Sequence, residues 1–192
     1  MRILFKSILL LLLCLNFPCY GQFPNLRFEN YDTPEGISSS TCLEIFEDSE
    51  GFLWFGTIDG LNKFNGYDFE IFRPSLTDPN AISNNRINVI TEDNTGRLWI
   101  GTGSGLNIYD KKQQKFYKVN FTGNKSYREN INSLLFNKQD NSLYIGSKNG
   151  LIRLVLKGSS DDIARNPDYE RFNKPRDANS VDNNNVTTMA KD

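Results

Sequence analysis

The stretch GFLWFGTIDGL at residues 51–61 decides the fold, because the chain contains it three times. It returns as GRLWIGTGSGL at residues 96–106 and, with more changes, as NSLYIGSKNGL at residues 141–151. Their aromatic residues Trp54, Trp99 and Tyr144 follow one another at equal steps of 45 residues. A fixed period of that length is typical of repeat architectures assembled from several small units of one kind.

Each copy of the stretch predicts a β-hairpin. Over residues 53–57, β-favouring side chains alternate between two faces, as they do in a strand. Every copy then has a glycine two residues later, at Gly60, Gly105 and Gly150, and glycine provides the positive φ that a tight hairpin requires. Residues 61–64 return as the second strand. The large aromatic side chain of each hairpin needs a neighbouring sheet to cover it.

Turn signals and further β-favouring runs extend each hairpin to a unit of four strands. The predicted units occupy residues 37–81, 82–126 and 127–176, and residues 177–192 repeat the beginning of the second unit. Units of four strands and about 45 residues, with one large aromatic each, predict an all-β fold. We expect a β-propeller with antiparallel four-stranded blades and an incomplete ring, in which the fourth blade is truncated.

Two other segments have predicted conformations of their own. Leu26–Tyr31, within the N-terminal segment 22–36, is predicted to be a short strand. Lys157–Pro167 interrupts the third unit and is predicted to be a long surface loop, because it contains Gly, Ser, Asp and Pro. No segment shows a sustained helical period.

The first 21 residues have the plan of a secretory signal peptide. Arg2 and Lys6 precede an apolar run, and small or polar residues at 19–21 precede a predicted cleavage site before Gln22. An uncleaved membrane anchor and a lipoprotein signal are the two alternatives. The apolar run is short for an anchor, and neither cysteine of the segment follows the small residue that lipid attachment favours. The sequence therefore predicts export.

The composition excludes several classes of function. Once Arg2 and Lys6 are removed with the signal, 20 of the 22 basic side chains remain against 23 acidic ones, so nucleic acid is not an expected partner. The sequence contains no histidine, which excludes Ser-His-Asp or Cys-His catalysis and a histidine-rich metal site within it. Cys42 lies one repeat before Ile87, and we expect it to be a small buried apolar residue. We predict neither a metal nor a cofactor.

The repeated residues resemble the two-component regulator propeller repeat. Residues 48–57 with 60–64 and residues 93–109 fit its pattern, whereas the third copy departs from it at Asn141, Tyr144 and Ser147. The resemblance implies the N-terminal part of a periplasmic sensor that belongs to a hybrid two-component system and is anchored in the inner membrane. In that family such propellers detect glycan breakdown products and control a histidine kinase and a DNA-binding output.

The resemblance also implies the partners. We expect a small glycan ligand, further blades and signalling domains of the same chain, and a second copy in a homodimer of the full-length protein. In the family, the segment before the first blade supplies the outer strand of the last blade, which is the role expected for residues 22–36.

The repeated aromatic and glycine residues are expected to be structural. Strict recurrence within a central strand is what packing between blades requires. The alternative is that the aromatic rings stack on sugar rings. The residues assigned to this repeat core are Trp54, Trp99, Tyr144, Gly56, Gly101 and Gly146.

The candidate ligand-binding residues are Asp59, Ser104 and Asn149, which hold equivalent turn positions in successive units. In a four-stranded blade, the turns between the second and third strands and the connections between blades emerge on one face. Polar side chains there can vary without disturbing the strands and can bond sugar hydroxyls. The alternative is ordinary solvated turn chemistry.

The sequence thus predicts a non-enzymatic, extracytoplasmic ligand-sensing propeller. Two other classes stay open: a secreted propeller enzyme of the lyase type, which the missing histidine disfavours, and a propeller scaffold that binds other proteins. We predict no catalytic residue in this chain.

Overall fold

Each repeated hairpin belongs to a four-stranded antiparallel sheet in the computed structural model of the chain, which describes residues 28–121, 129–172 and 185–190. Blade 1 consists of β1 (Cys42–Glu47), β2 (Leu53–Thr57), β3 (Gly60–Phe64) and β4 (Phe69–Phe72). Blade 2 consists of β5 (Ile87–Glu92), β6 (Leu98–Thr102), β7 (Gly105–Asp110) and β8 (Lys115–Lys118). Blade 3 consists of β9 (Ile131–Asn137), β10 (Ser142–Ser147), β11 (Gly150–Val155) and β12 (Asp168–Phe172). The predicted all-β fold with four-stranded blades is confirmed, and the described residues form no closed ring.

The order of strands in every blade follows the chain, and the innermost strands β1, β5 and β9 lie side by side. The turn glycines adopt the positive φ that the hairpins require, with 143° at Gly60, 114° at Gly105 and 124° at Gly150. In each blade this glycine pairs with the last residue of the second strand. The tight turn therefore places the second-to-third-strand connections at one end of all three sheets.

Two apolar clusters hold the blades together. Trp54 is fully buried and packs in one cluster with residues of blade 2, with its ring centroid 5.4 Å from that of Tyr109. Trp99 is fully buried in a second cluster that joins blade 2 to Leu143, Ile145 and other residues of blade 3. Each cluster lies between two sheets. The two faces of blade 2 are therefore shielded from water by blades 1 and 3.

Each tryptophan also donates a hydrogen bond to an aspartate of the turn before its strand. Trp54 Nε1 lies 2.9 Å from Asp48 Oδ2, and Trp99 Nε1 lies 2.8 Å from Asp93 Oδ2. Burial alone would raise the pKa of Asp48, but the hydrogen bonds from Trp54 and from the Phe52 and Glu50 amides outweigh it and lower that pKa. The buried indole N–H thus has an ionised partner.

The second strand of each blade has a glycine where the next blade approaches most closely. A Cβ atom at Gly56 would lie 2.8 Å from Ile87 Cγ2, and one at Gly101 would lie 2.6 Å from Ile131 Cγ2. At Gly146 the corresponding neighbour is Val186 Cγ1, at 2.7 Å. These distances are far below van der Waals contact, so only glycine allows the sheets to pack this tightly.

Tyr144 differs from the two tryptophans because it is only partly buried. Lys138 stands where the other repeats have the turn aspartate, and the Tyr144 hydroxyl instead lies 3.4 Å from Asp140 Oδ2. Tyr144 lies on the face of blade 3 that corresponds to the face with which blades 1 and 2 pack against the next blade. The described residues after β12 are 185–190 alone, which cover only part of that face.

The predicted loop Lys157–Pro167 is wrong in part, because it contains the helix α1 (Ser160–Arg165). The Ser159 side chain accepts a hydrogen bond from the Asp162 amide, and the Asp162 carboxylate accepts one from the Ser159 amide. The two bonds together form a capping box. Ile163 and Ala164 are buried in the cluster around Trp99. The segment is therefore a packed element of the core between blades 2 and 3.

The prediction of a buried Cys42 is also wrong, since its side chain is exposed and unbonded to another cysteine. Its equivalents Ile87 and Ile131 are buried against the strand glycines of the preceding blade. Cys42 begins blade 1, and no blade precedes it within the described ranges. Burial at this position therefore depends on a neighbouring sheet and not on the residue.

The N-terminal segment is described only in part. The chain divides into two units after Asn30, and residues 28–31 are not in a strand. The predicted strand Leu26–Tyr31 is therefore absent over these four residues, because a strand requires a partner and the sheet of blade 1 is complete without it. The predicted signal peptide, residues 1–21, lies outside the described residues.

Candidate functional site

The turns that were predicted to face a ligand lie at the same end of the molecule as the first residues of the innermost strands. Backbone hydrogen bonds join the two sets within each blade: Ile58 N to Thr41 O, Gly103 N to Arg86 O, and Lys148 N to Asn130 O. The turns and the connections between blades thus form one continuous surface, as expected from the topology.

The three predicted contact residues occupy this end, but the structure does not bring their side chains together. The Asp59 carboxylate accepts a hydrogen bond from Arg73 Nη2 at 2.9 Å and another from Asn85 Nδ2 at 3.1 Å. These bonds, first from Arg73 and then from Asn85, lower the pKa of Asp59. Ser104 is partly buried and Asn149 is exposed, and the amide of each bonds the hydroxyl at the end of the second strand. Their contact with a ligand stays a prediction.

A cleft of about 380 Å³ opens at this end between the innermost strands. We call it the inner cleft. It is lined by Leu43, Arg86, Asn88, Asn130, Asn132, Lys148, Asn185 and Thr187. Successive blades supply equivalent residues to its wall, because Leu43, Asn88, Asn132 and Thr187 all hold the second position of an innermost strand or of the segment aligned with it. None of the three predicted contact residues lies in this wall.

Asparagine side chains connect the blades along the cleft. Asn88 Nδ2 donates to Asn130 Oδ1 and to Ile131 O, both at 2.8 Å. One blade further, Asn132 Nδ2 donates to Asn185 Oδ1 at 2.9 Å and to Val186 O at 3.1 Å. Each of these side-chain amides therefore links its own blade to the first residues of the next blade. The links hold the cleft wall in one arrangement.

Hydrogen bonds and one ion pair with buried side chains hold the residues just before the innermost strand of each blade. In blade 1 the Ser38 amide donates to Asn62 Oδ1 at 2.8 Å, and in blade 2 the Ser83 amide donates to Asn107 Oδ1 at 3.0 Å. Blade 3 replaces this pair by an ion pair, in which Arg171 Nη1 and Nη2 each lie 3.0 Å from an oxygen of the buried Glu129.

Glu129 also accepts a hydrogen bond from the Ser147 hydroxyl. Glu129 directly precedes Asn130. Its bidentate ion pair with Arg171 therefore helps to position Asn130 in the cleft wall.

Sequence reasoning named the end of the blades at which the cleft opens but did not name the residues that line it. The available signal was the recurrence of asparagine at Asn88 and Asn132, one position after the buried first residue of an innermost strand. That signal is weak, because Leu43 holds the same position in blade 1 and asparagine is frequent in turns.

Metal-ligating clusters and membrane-spanning helices are absent from the described residues. The described ranges contain no group of three or more Cys, Asp and Glu side chains arranged to hold a metal ion. In the same ranges no helix has both the length and the apolar character needed to cross a bilayer.

Comparison with known proteins agrees with the repeat pattern. The family described as two-component regulator propeller matches residues 36–59 and 81–104. A curated relative, Histidine kinase P4 from Formosa agariphila, is 41% identical over 58 residues, which is 30% of this chain and 4% of the relative.

Two solved structures from B. thetaiotaomicron share the fold. The extracellular domain of BT3049, described as a hybrid two component system, has a TM-score of 0.63 at 24% identity, over 76% of this chain and 20% of its own. The extracellular domain of BT4673, described as a one component system, has a TM-score of 0.63 at 20% identity, over 84% of this chain and 20% of its own. The chain thus spans a fifth or less of these proteins. Two segments of the chain match the two-component regulator propeller family, and its three four-stranded sheets have the fold of propeller blades.

Proposed function

We propose that this chain is the propeller part of a periplasmic sensor, which binds a small glycan in the inner cleft and controls a histidine kinase elsewhere in a longer protein. The observation that carries the proposal is the inner cleft itself, whose polar wall is assembled from successive blades at the end where loops can vary. The repeat family and the kinase relative support the link to signalling.

The chemistry of the cleft suits a ligand rich in hydroxyl groups. Amide, hydroxyl and cationic groups dominate its wall, with Leu43 as the one apolar side chain among the described lining residues. Such groups can bond sugar hydroxyls in several directions, and each bond contributes about 1 kcal/mol net. Asp59, Ser104 and Asn149 lie at the same end of the blades, and we propose that they form an outer rim around a longer glycan.

The ligand is proposed to be bound and not converted. The described wall of the cleft contains no carboxylate, and the whole sequence contains no histidine. The described wall therefore offers neither a carboxylate nor an imidazole for general acid–base catalysis. Binding can instead change how neighbouring blades are held together, because the wall belongs to four successive units.

The test uses the complete protein that carries this propeller, since the signalling parts lie outside the chain. A panel of oligosaccharides prepared by digesting plant, algal and animal polysaccharides is added to the protein in membranes. At least one glycan should raise the melting temperature of the propeller and change phosphorylation of the kinase. If no glycan of the panel alters either quantity, the proposed function is wrong.

A further inference from the structure

The inner cleft has only cationic charge in its wall. Arg86 and Lys148 are exposed there, and no Asp or Glu is among the residues that line the cleft in the described part of the chain. Within residues 28–121, 129–172 and 185–190, neither side chain is paired with a carboxylate at ion-pair distance. This contrasts with the turn of blade 1, where the nearby cation Arg73 is paired with Asp59.

The orientation of Asn88 shows how the hydrogen-bonding groups of the wall are used. Its carboxamide lies between Arg86 Nε, which can only donate, and the Ile131 carbonyl, which can only accept. Asn88 Oδ1 therefore faces Arg86 at 3.0 Å, and Asn88 Nδ2 faces Ile131 O at 2.8 Å. The same nitrogen fixes Asn130 with its Oδ1 atom turned toward Asn88.

Three of the four asparagine side-chain oxygens of the wall are consequently used within the protein. The Oδ1 atoms of Asn88, Asn130 and Asn185 each accept a hydrogen bond from a neighbouring side chain. The Arg86 guanidinium keeps its two terminal nitrogens for other acceptors, and the Lys148 ammonium is a donor in every direction. A cleft in which most asparagine oxygens already accept hydrogen bonds and whose charges are cationic favours a ligand that supplies acceptors and negative charge.

We propose that the inner cleft selects acidic glycans, which carry carboxylate or sulfate groups, over neutral ones. Arg86 and Lys148 make the charged contacts, and the Asn88 carboxamide holds Arg86 in place along the wall. This inference rests on the proposed function and specifies the chemical class of its ligand. It requires that binding weaken with increasing salt, because part of the attraction is between exposed charges.

The experiment compares two sets of oligosaccharides of equal length on the complete protein by calorimetric titration. The acidic set consists of galacturonate, alginate and sulfated oligomers, and the neutral set consists of glucan, xylan and mannan oligomers. The variant R86Q/K148Q removes both charges at nearly constant size, and R86K/K148R retains them. Lys138→Gln is the matched control, because Lys138 is an exposed lysine in the turn at the opposite end of blade 3.

We expect the wild type to bind an acidic oligomer at least tenfold more tightly than any neutral one. R86Q/K148Q should lose about tenfold in affinity for each cation removed, and its affinity should depend less on salt. R86K/K148R and Lys138→Gln should stay within a few-fold of the wild type.

Three results would overturn the inference. Tighter binding of a neutral oligomer would do so while leaving the sensor function intact. Unchanged acidic affinity in R86Q/K148Q would show that the anion binds elsewhere. A failure of both sets to bind would remove the inference and the proposed function together.

Discussion

At the scale of single residues, the turn aspartates Asp48 and Asp93 explain why Asp and Trp recur together, six positions apart. Asp93 is nine-tenths buried and accepts hydrogen bonds from five groups at once: Trp99 Nε1, Arg97 Nε at 2.7 Å, Thr95 Oγ1, and the Thr95 and Arg97 amides. In blade 3 both partners are exchanged together, for Lys138 and Tyr144. The pair is therefore one structural unit, which closes the turn and satisfies the buried indole.

Asp93 makes a prediction about acid sensitivity. Burial alone would raise its pKa, but hydrogen bonds from Thr95 and Trp99 and the charge of Arg97 outweigh that effect and lower the pKa. A lowered carboxyl pKa contributes stability that is complete above the unfolded value of about 3.9 and is lost as the pH falls through the folded value. Asp93→Asn should therefore reduce the free energy of unfolding by about 1.5–3 kcal/mol at pH 7.

The measurement is urea unfolding of the complete propeller at pH 7 and again below pH 4. The difference between Asp93→Asn and wild type should shrink at the lower pH. Asp68→Asn, at an exposed turn position, serves as the control and should differ little from wild type at pH 7. A deficit in Asp93→Asn that stays constant down to pH 3 would contradict the account.

Single residues also show how far sequence reasoning reaches. The strand glycines and the turn glycines follow from the repeat, because backbone approach and positive φ require that residue wherever it recurs. The exposure of Cys42 and the half-burial of Tyr144 do not follow, because they depend on which sheet lies alongside. The cleft residues could not be predicted either, since the spatial neighbours Asn88 and Asn130 are 42 positions apart and no local pattern links them.

At the scale of elements, α1 is the part that the repeat pattern could not reveal. Six residues are too few to show a helical period, although Ser159 and Asp162 have the spacing of a capping box. The helix and its flanks bind blade 2 at three points: the Asn120 amide donates to Ala164 O, Ser160 Oγ lies 2.8 Å from Asp110 Oδ2, and Arg97 Nη1 lies 3.1 Å from Gly158 O. The insertion thus fastens blade 3 to blade 2.

Because α1 fastens blade 3 to blade 2, the protein should lose stability when the buried apolar side chain of α1 is truncated. Ile163 is buried in the cluster around Trp99, so Ile163→Ala should cost about 2–5 kcal/mol, as buried aliphatic truncations do. Arg165→Ala is the matched control within the same helix, because its ion pair with Asp161 is exposed and should contribute less than about 1 kcal/mol. Equal melting temperatures for the two variants would show that α1 is only a surface loop.

At the scale of the whole molecule, the three described blades have two outer faces that no other sheet of the described residues covers. On blade 1 the side chain of Ile45 is 62% exposed, and an aromatic cluster of Tyr31, Phe55, Phe64 and Phe69 lies on the same open side. On blade 3 Phe172 is 45% exposed. In the interior of the array the equivalent surfaces are buried between sheets, so these faces require covering in a stable protein.

We therefore expect residues 22–192, expressed alone, to aggregate or to form a loosened state that binds apolar dyes. Dye fluorescence and size-exclusion chromatography measure this directly, with the complete propeller as the reference. A soluble monomer that unfolds in one sharp cooperative transition would show that three blades suffice without further cover.

The central claim is that a glycan binds in the inner cleft at the loop end of the innermost strands. Hydrogen–deuterium exchange of the complete protein, with and without the oligosaccharide that stabilises it most, tests this claim most directly. Bound glycan should slow exchange at the backbone amides of residues 86–88, 130–132 and 148, which carry the cleft wall, and leave the turns at 48–51 and 93–96 at the opposite end unchanged. Protection confined to those opposite turns, with none in the cleft wall, would contradict the account.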